Sequence, residues 1–171
     1  MTVMEAIRHR FSVRKFKDYE IEEEKLERVL EGARLAPSAR NLQEWRFVVV
    51  QDPDMRRALS EAANGQAFVA EAPAVIVACA ITSEHVISCG LHCFPIDVSI
   101  AMAYMTLVAV EEELGTCWIG AFNADRVKDL LGIPAEVIVV GLLPIGYPDA
   151  EAPRKKRLSL DEIVMPERWR G

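Results

Sequence analysis

The chain has 171 residues, 51% hydrophobic and 27% charged, which suits one ordinary globular domain with enough length to bury a real core. A net charge of -6 and a pI of about 5.2 leave no general basic footprint for nucleic acid or an anionic membrane. The N-terminus carries no signal-peptide hydrophobic stretch, and no segment reads as long and apolar enough to span a bilayer. The expected location is therefore the cytoplasm, with Cys79, Cys89, Cys93 and Cys117 as thiols rather than disulfides.

Thr2 and Glu5 form a T-x-x-E capping box, which predicts a first helix from Val3 to about His9. A loop with Arg10, Ser12 and Arg14 follows. The second helix is marked by Leu26, Val29, Leu30 and Ala33 at helical spacing, and Pro37 ends it. The polar loop SARNLQEW leads into a strand, RFVVVQ, whose valines favour extended backbone. Asp52-Pro53 opens a third helix to about Ala63, with proline at its first position. AVIVACA reads as a second, buried strand.

The longest helix is expected from about Ile96 to Leu114, apolar on nearly every face and therefore central, with Gly115 as its C-cap. CWIGAF is a short strand or extended turn. Asp125 to Leu131 is a helix stopped by Gly132 and Pro134, and VIVVGLLPIG is a third apolar strand. Ser159 and Glu162 make a second capping box near the end. A few short apolar strands among many helices predict an α+β three-layer fold in one domain, residues 1–171. So much apolar surface in a chain this small points to an oligomer.

Four segments could carry chemistry. Arg10, Ser12 and Arg14 alternate, so in extended backbone they face one side, as a dianionic phosphate requires; a solvated basic loop is an equal alternative. Pro37, Ser38, Ala39, Arg40, Asn41 and Gln43 offer hydroxyl and amide groups that can read the polar edge of a heterocycle, or simply form a capping loop. Gly120, in Trp118-Ile-Gly-Ala121-Phe122, would let a flat ligand approach the backbone, although a packing glycine is commoner. Arg154-Lys155-Lys156-Arg157 is the densest basic run, and alone it reads as solvated surface.

Other polar residues point to no site. Cys89, His92 and Cys93 lack the second cysteine pair of a zinc centre, so no metal is expected. His9 and His85 have no evident partner, and Asp97, inside an apolar helix, is expected to bond locally. The G-x-S-x-G, P-loop and G-x-G-x-x-G patterns are absent.

In order and spacing, R-x-S-x-R at 10–14, A-P-S-A-x-N-x-Q-x-W-R-F-V-V-V at 36–50, L-G-T-C-W-I-G-A-F at 114–122, I-G-Y-P at 145–148 and K-x-R at 155–157 resemble the nitroreductase family over almost the whole chain. The resemblance implies an α+β three-layer sandwich, with a central, mostly antiparallel sheet surrounded by helices and subunits intertwined as a homodimer. It implies FMN at the subunit interface and NAD(P)H as co-substrate. Arg10, Ser12 and Arg14 would hold the FMN phosphate and ribityl chain, with Lys155 and Arg157 adding to the clamp. Pro37, Ser38, Ala39 and Asn41 would line the flavin ring, largely from the other subunit. The amides of Gly120 and Ala121 would face flavin N5 and the neighbouring carbonyl, and Gln66 would reach the flavin edge. Phe11 replaces a frequent Arg or His, and Glu44 replaces the proline of the family's Q-P-W.

The function so implied is reduction of an electron-poor small-molecule acceptor, such as a nitroaromatic or quinone, at the expense of NAD(P)H with ping-pong kinetics. No protein residue need act as acid or base, so none is assigned as catalytic. The alternatives are a flavin-binding module without turnover and a flavin-consuming or dehalogenating relative.

Overall fold

The computed structural model describes residues 1–153 and 156–169. Helices α1 (Val3–His9), α2 (Glu23–Arg34), α3 (Pro53–Ala62), α4 (Phe68–Glu71), α5 (Cys93–Glu111), α6 (Ala124–Leu131) and α7 (Leu160–Ile163) surround four strands. The strands are β1 (Trp45–Val50), β2 (Ala74–Ala80), β3 (Gly115–Thr116) and β4 (Ile138–Gly146), in the order β1-β2-β4-β3, every pair antiparallel.

The layering follows from β2. All seven of its residues are buried, so successive side chains serve opposite faces of the sheet. Ile76, Ala78 and Ala80 join Leu26, Val29, Val98 and Met102 in a core beneath α2 and α5. Val75, Val77 and Cys79 join Leu59, Val69 and Val127 in a second core beneath α3, α4 and α6. The result is helices, sheet, helices, as the α+β sandwich requires.

The predicted N-terminal caps of α1, α3 and α7 are present. Thr2 accepts from the Glu5 N–H while its own N–H donates to Glu5 at 2.7 Å, and the Asp52 carboxylate accepts from the Met55 N–H at 2.8 Å. Both ends of the longest helix differ. Helix α5 starts at Cys93, not Ile96, because Pro95 sits in its first turn, where the missing N–H has no intrahelical partner to lose. It ends at Glu111, so Gly115 is not its C-cap but the first residue of β3. A Cβ on Gly115 would collide with the Val13 side chain, which explains why the position carries glycine. The short helix α4 is an addition to the expected elements.

Helix α5 is long and apolar enough to cross a membrane by length and composition, contrary to the expectation that no segment would be. Here it packs in the monomer, with Val98, Ala101, Met102, Met105 and Ala109 against the sheet and α2. Its outward side carries Ile96 and Tyr104, both exposed.

Candidate functional site

Three patches contain the sequence-predicted residues other than Lys155 and Arg157. The first lies at the β3 edge. The segment after α1 pairs with it, Ser12 opposite Thr116 in a parallel bridge, and the Val13 N–H donates to the Thr116 carbonyl at 3.0 Å. Val13 points inward and is buried, so Ser12 and Arg14 on either side of it are exposed. All three expected groups act on one thiol. Burial pushes the Cys117 thiol up, and the charges of Arg14 and Arg10 and a hydrogen bond with Ser12 oppose that shift. Ser12 and Arg14 thus stand exposed along the β3 edge. Arg10 also borders a hollow of about 310 Å³ with Ile7, Ala103, Leu107, Thr116 and Trp118.

The second patch follows Cys117. The Ile119 N–H donates to Leu142 at 2.9 Å and the Leu142 N–H returns the bond at 3.0 Å, so 117–119 run along β4 without forming a regular strand. Gly120 and Ala121 leave this edge exposed, and a Cβ on Gly120 would meet nothing within 4 Å. Among the described residues, neither amide donates a hydrogen bond. The Ala121 carbonyl accepts from Asn64 at 3.2 Å and Gln66 at 3.4 Å. Gln66 therefore reaches this patch, and so does Asn64. Its left-handed backbone, φ 58°, is a local cue at an asparagine.

The third patch is the turn after α2. Residues Ala39–Asn41 form a single 3-10 turn. Arg40, Asn41 and Gln43 all have positive φ, 51°, 57° and 54°. For non-glycine residues this costs on the order of 1 kcal/mol each, so other bonds must hold the turn. Gln43 N–H donates to Ser38 Oγ at 3.0 Å, and Ala39 N–H donates to both oxygens of Asp97 at 3.2 and 3.1 Å. Asp97 is thus no locally bonded helix residue but the anchor of this turn. The reason is burial, since a carboxylate at 5% exposure needs a donor.

Glu44 and His85 meet at the same end. The His85 Nδ1 atom lies 2.7 and 3.0 Å from the two Glu44 carboxylate oxygens, so His85 does have a partner. Residues 85–93 fold back as a tight hairpin, with Val86 bridging His92 and the Ile87 N–H donating to Leu91 at 2.9 Å. Gly90, at φ 90°, makes the turn.

Among the described residues, the hollows bordered by the first and third patches have no lining residue in common. Pro37, Ser38 and Ala39 line a separate hollow at the start of α5. Asn41 is exposed beside it. Lys155 lies outside the described residues. Arg157 is exposed and donates to the Lys156 carbonyl at 2.9 Å, and the structure does not join it to Ser12 or Arg14.

The nitroreductase family model matches residues 7–91 and 65–147. A Thermus thermophilus NADH dehydrogenase is 33% identical, with 94% of this chain and 92% of that protein covered. A Bacillus subtilis FMN reductase [NAD(P)H] is 29% identical over 98% of this chain and 74% of its own length. The structure of an FMN-dependent nitroreductase from Clostridium difficile superposes with a TM-score of 0.84 at 30% identity, covering 96% of this chain and 99% of that one. With the family model spanning most of the chain and the R-x-S-x-R, P-S-A-x-N and W-I-G-A segments placed at exposed edges of one sandwich, the chain belongs to the nitroreductase family.

Proposed function

We propose that the protein is an FMN-dependent oxidoreductase that takes electrons from NAD(P)H and passes them to an electron-poor small molecule, a nitroaromatic or quinone, as a cytoplasmic homodimer. The observation that carries this reading is the placement of Ser12 and Arg14 on the exposed side of the β3 edge, with Arg10 bordering the adjoining hollow and the amides of Gly120 and Ala121 unengaged a few residues further along. The donor set fits the cofactor. Two guanidinium groups and a hydroxyl match a phosphate ester. Free backbone N–H groups match the acceptor edge of a flat heterocycle, and Gly120 leaves room for it.

When bound, FMN supplies the two-electron chemistry, and the chain binds and orients. Arg10, Ser12 and Arg14 would hold the phosphate end. The amides of Gly120 and Ala121 would stabilise negative charge on the ring edge, and Asn64 and Gln66 hold the Ala121 carbonyl beside them. Pro37, Ser38 and Ala39 line a different hollow of the same chain, with Asn41 exposed nearby, which fits a ring site completed by the second subunit. The exposed Ile96, Tyr104 and Trp118, together with Val3, Met4 and Ile7 on α1, supply apolar surface for such an interface.

Donor and acceptor use one site in turn, which gives ping-pong kinetics. The test is the absorbance spectrum of the purified protein, followed by steady-state assays with NADH or NADPH and a nitroaromatic. Bands at roughly 370 and 450 nm and parallel double-reciprocal lines are expected. A colourless protein that takes up no added FMN would overturn the cofactor assignment. Bound FMN without NAD(P)H oxidation would leave a binding module, and intersecting lines would overturn the kinetic scheme.

A further inference from the structure

Gly120 links two anchored points. Before it, Ile119 exchanges both backbone hydrogen bonds with Leu142, at 2.9 and 3.0 Å. After it, the Ala121 carbonyl accepts from Asn64 Nδ2 at 3.2 Å and from Gln66 Nε2 at 3.4 Å. The Asn123 N–H then donates to the Ala62 carbonyl at 2.8 Å. A Cβ on Gly120 would meet nothing within 4 Å, so no packing restrains the link itself. Asn64 is the nearer of the two side-chain donors, and Gln66 divides its amide with the Ala63 carbonyl at 3.0 Å. The turn that carries both is fixed from below. The Gly65 N–H donates to the Ser60 carbonyl at 3.0 Å, and the buried Ser60 hydroxyl donates to the Gln66 carbonyl at 2.9 Å. Asn64 thus reaches the 120–122 loop from a braced turn, with its own backbone left-handed at φ 58°.

We propose that Asn64 is a positioning residue. By holding the Ala121 carbonyl it narrows the torsions open to Gly120, and so presets the Gly120 and Ala121 amides for a ring edge that gains negative charge on reduction. The redox role rests on the FMN reading, whereas the clamp on the loop stands without it. Donors that are in place before charge develops need no reorganisation when it does. Hydrogen bonds to an ionised acceptor are roughly twice as strong as those to a neutral one. A loosened loop therefore weakens the reduced ring's binding more than the oxidised ring's.

Two variants of the full chain separate the possibilities. Asn64→Gly removes the side-chain bond and accepts the left-handed backbone without strain. Asn64→Asp keeps the shape and loses the N–H donor. In protein stripped of flavin, backbone amide relaxation by NMR reads the clamp directly. Order parameters at Gly120 and Ala121 should stand at about 0.85 in the native chain and fall below about 0.6 in both variants. Unchanged order parameters overturn the clamp, whatever the protein binds. With FMN added, fluorescence titration gives the affinity for the oxidised form, and anaerobic dye equilibration gives the midpoint potential and hence the affinity for the reduced form. In Asn64→Gly the reduced form should lose about threefold or more affinity beyond the loss of the oxidised form. Equal losses in the two redox states would mean that Asn64 only shapes the loop, and would overturn its redox role while the FMN reading stands. A native chain that takes up no FMN overturns that reading and the redox role together.

Discussion

The Ala39 N–H and the Asp97 carboxylate, 58 positions apart in sequence, meet at 3.2 and 3.1 Å, so the first turns of α5 hold a loop whose own backbone is strained. Removing the carboxylate should release that loop. Asp97→Ala leaves a donor unpaired and frees Arg40, Asn41 and Gln43 to leave the left-handed region. A loss of about 1–3 kcal/mol is expected, with FMN affinity falling at least about tenfold as the ring-lining residues disperse. Asp97→Asn, which keeps an acceptor, should hold most of both. Thermal melts and FMN fluorescence titrations check this, and an Asp97→Ala protein with native FMN affinity would contradict it.

Arg14 tests the phosphate end. It is exposed, on the outward side of the segment whose Val13 is buried, so its replacement costs little packing. Arg14→Ala should weaken FMN by about tenfold or more, the scale of one charge-assisted hydrogen bond. Riboflavin, which lacks the phosphate, should bind the variant and the native protein alike. Equal loss for both ligands would place Arg14 away from the phosphate.

These two residues also mark what sequence could and could not disclose. The R-x-S-x-R alternation was readable because extended backbone has a period of two, and the bridge between Ser12 and Thr116 keeps it extended. The two-faced burial of β2 was readable for the same reason, as an unbroken apolar run. Asp97 was visible as an oddity in an apolar helix, but its partner was not, because no local spacing links it to Ala39. The Glu44–His85 contact spans 41 positions and left no local trace either. The positive φ values at Arg40 and Gln43 are imposed by tertiary bonds on residues with no preference for them. The split of the site into patches whose hollows have no lining residue in common depends on three-dimensional placement that no motif records.

Gly115 was readable as a glycine with a purpose, but the purpose is different. It lets β3 approach Val13 rather than closing α5. Gly115→Ala should therefore destabilise by about 1–3 kcal/mol through overpacking, and should shift the Arg10–Arg14 segment that rides on Thr116. Paired with Val13→Ala, which vacates the overlapped space, much of that cost should return. A double-mutant cycle by denaturant melts measures it, and strict additivity would show that the two side chains do not compete.

The clamp between α2 and α5 gives a pH prediction. Arg28 donates to Glu112 from Nε at 2.6 Å and from Nη2 at 2.7 Å, a bidentate pair. The hydrogen bond from Arg28 holds the Glu112 carboxyl below the usual carboxylate range. A folded-state value below the unfolded one means stability that is fully present above the unfolded value and lost as pH falls through the folded one. The Arg28 side chain is half exposed, so the effect should be modest and screened. Native protein should melt above Arg28→Ala at about pH 7, and the gap should close as pH falls through the lowered folded-state value of Glu112 and the carboxylate protonates. A gap that stays constant across that range would mean Arg28 acts by packing its stem on α5 and not through its charge.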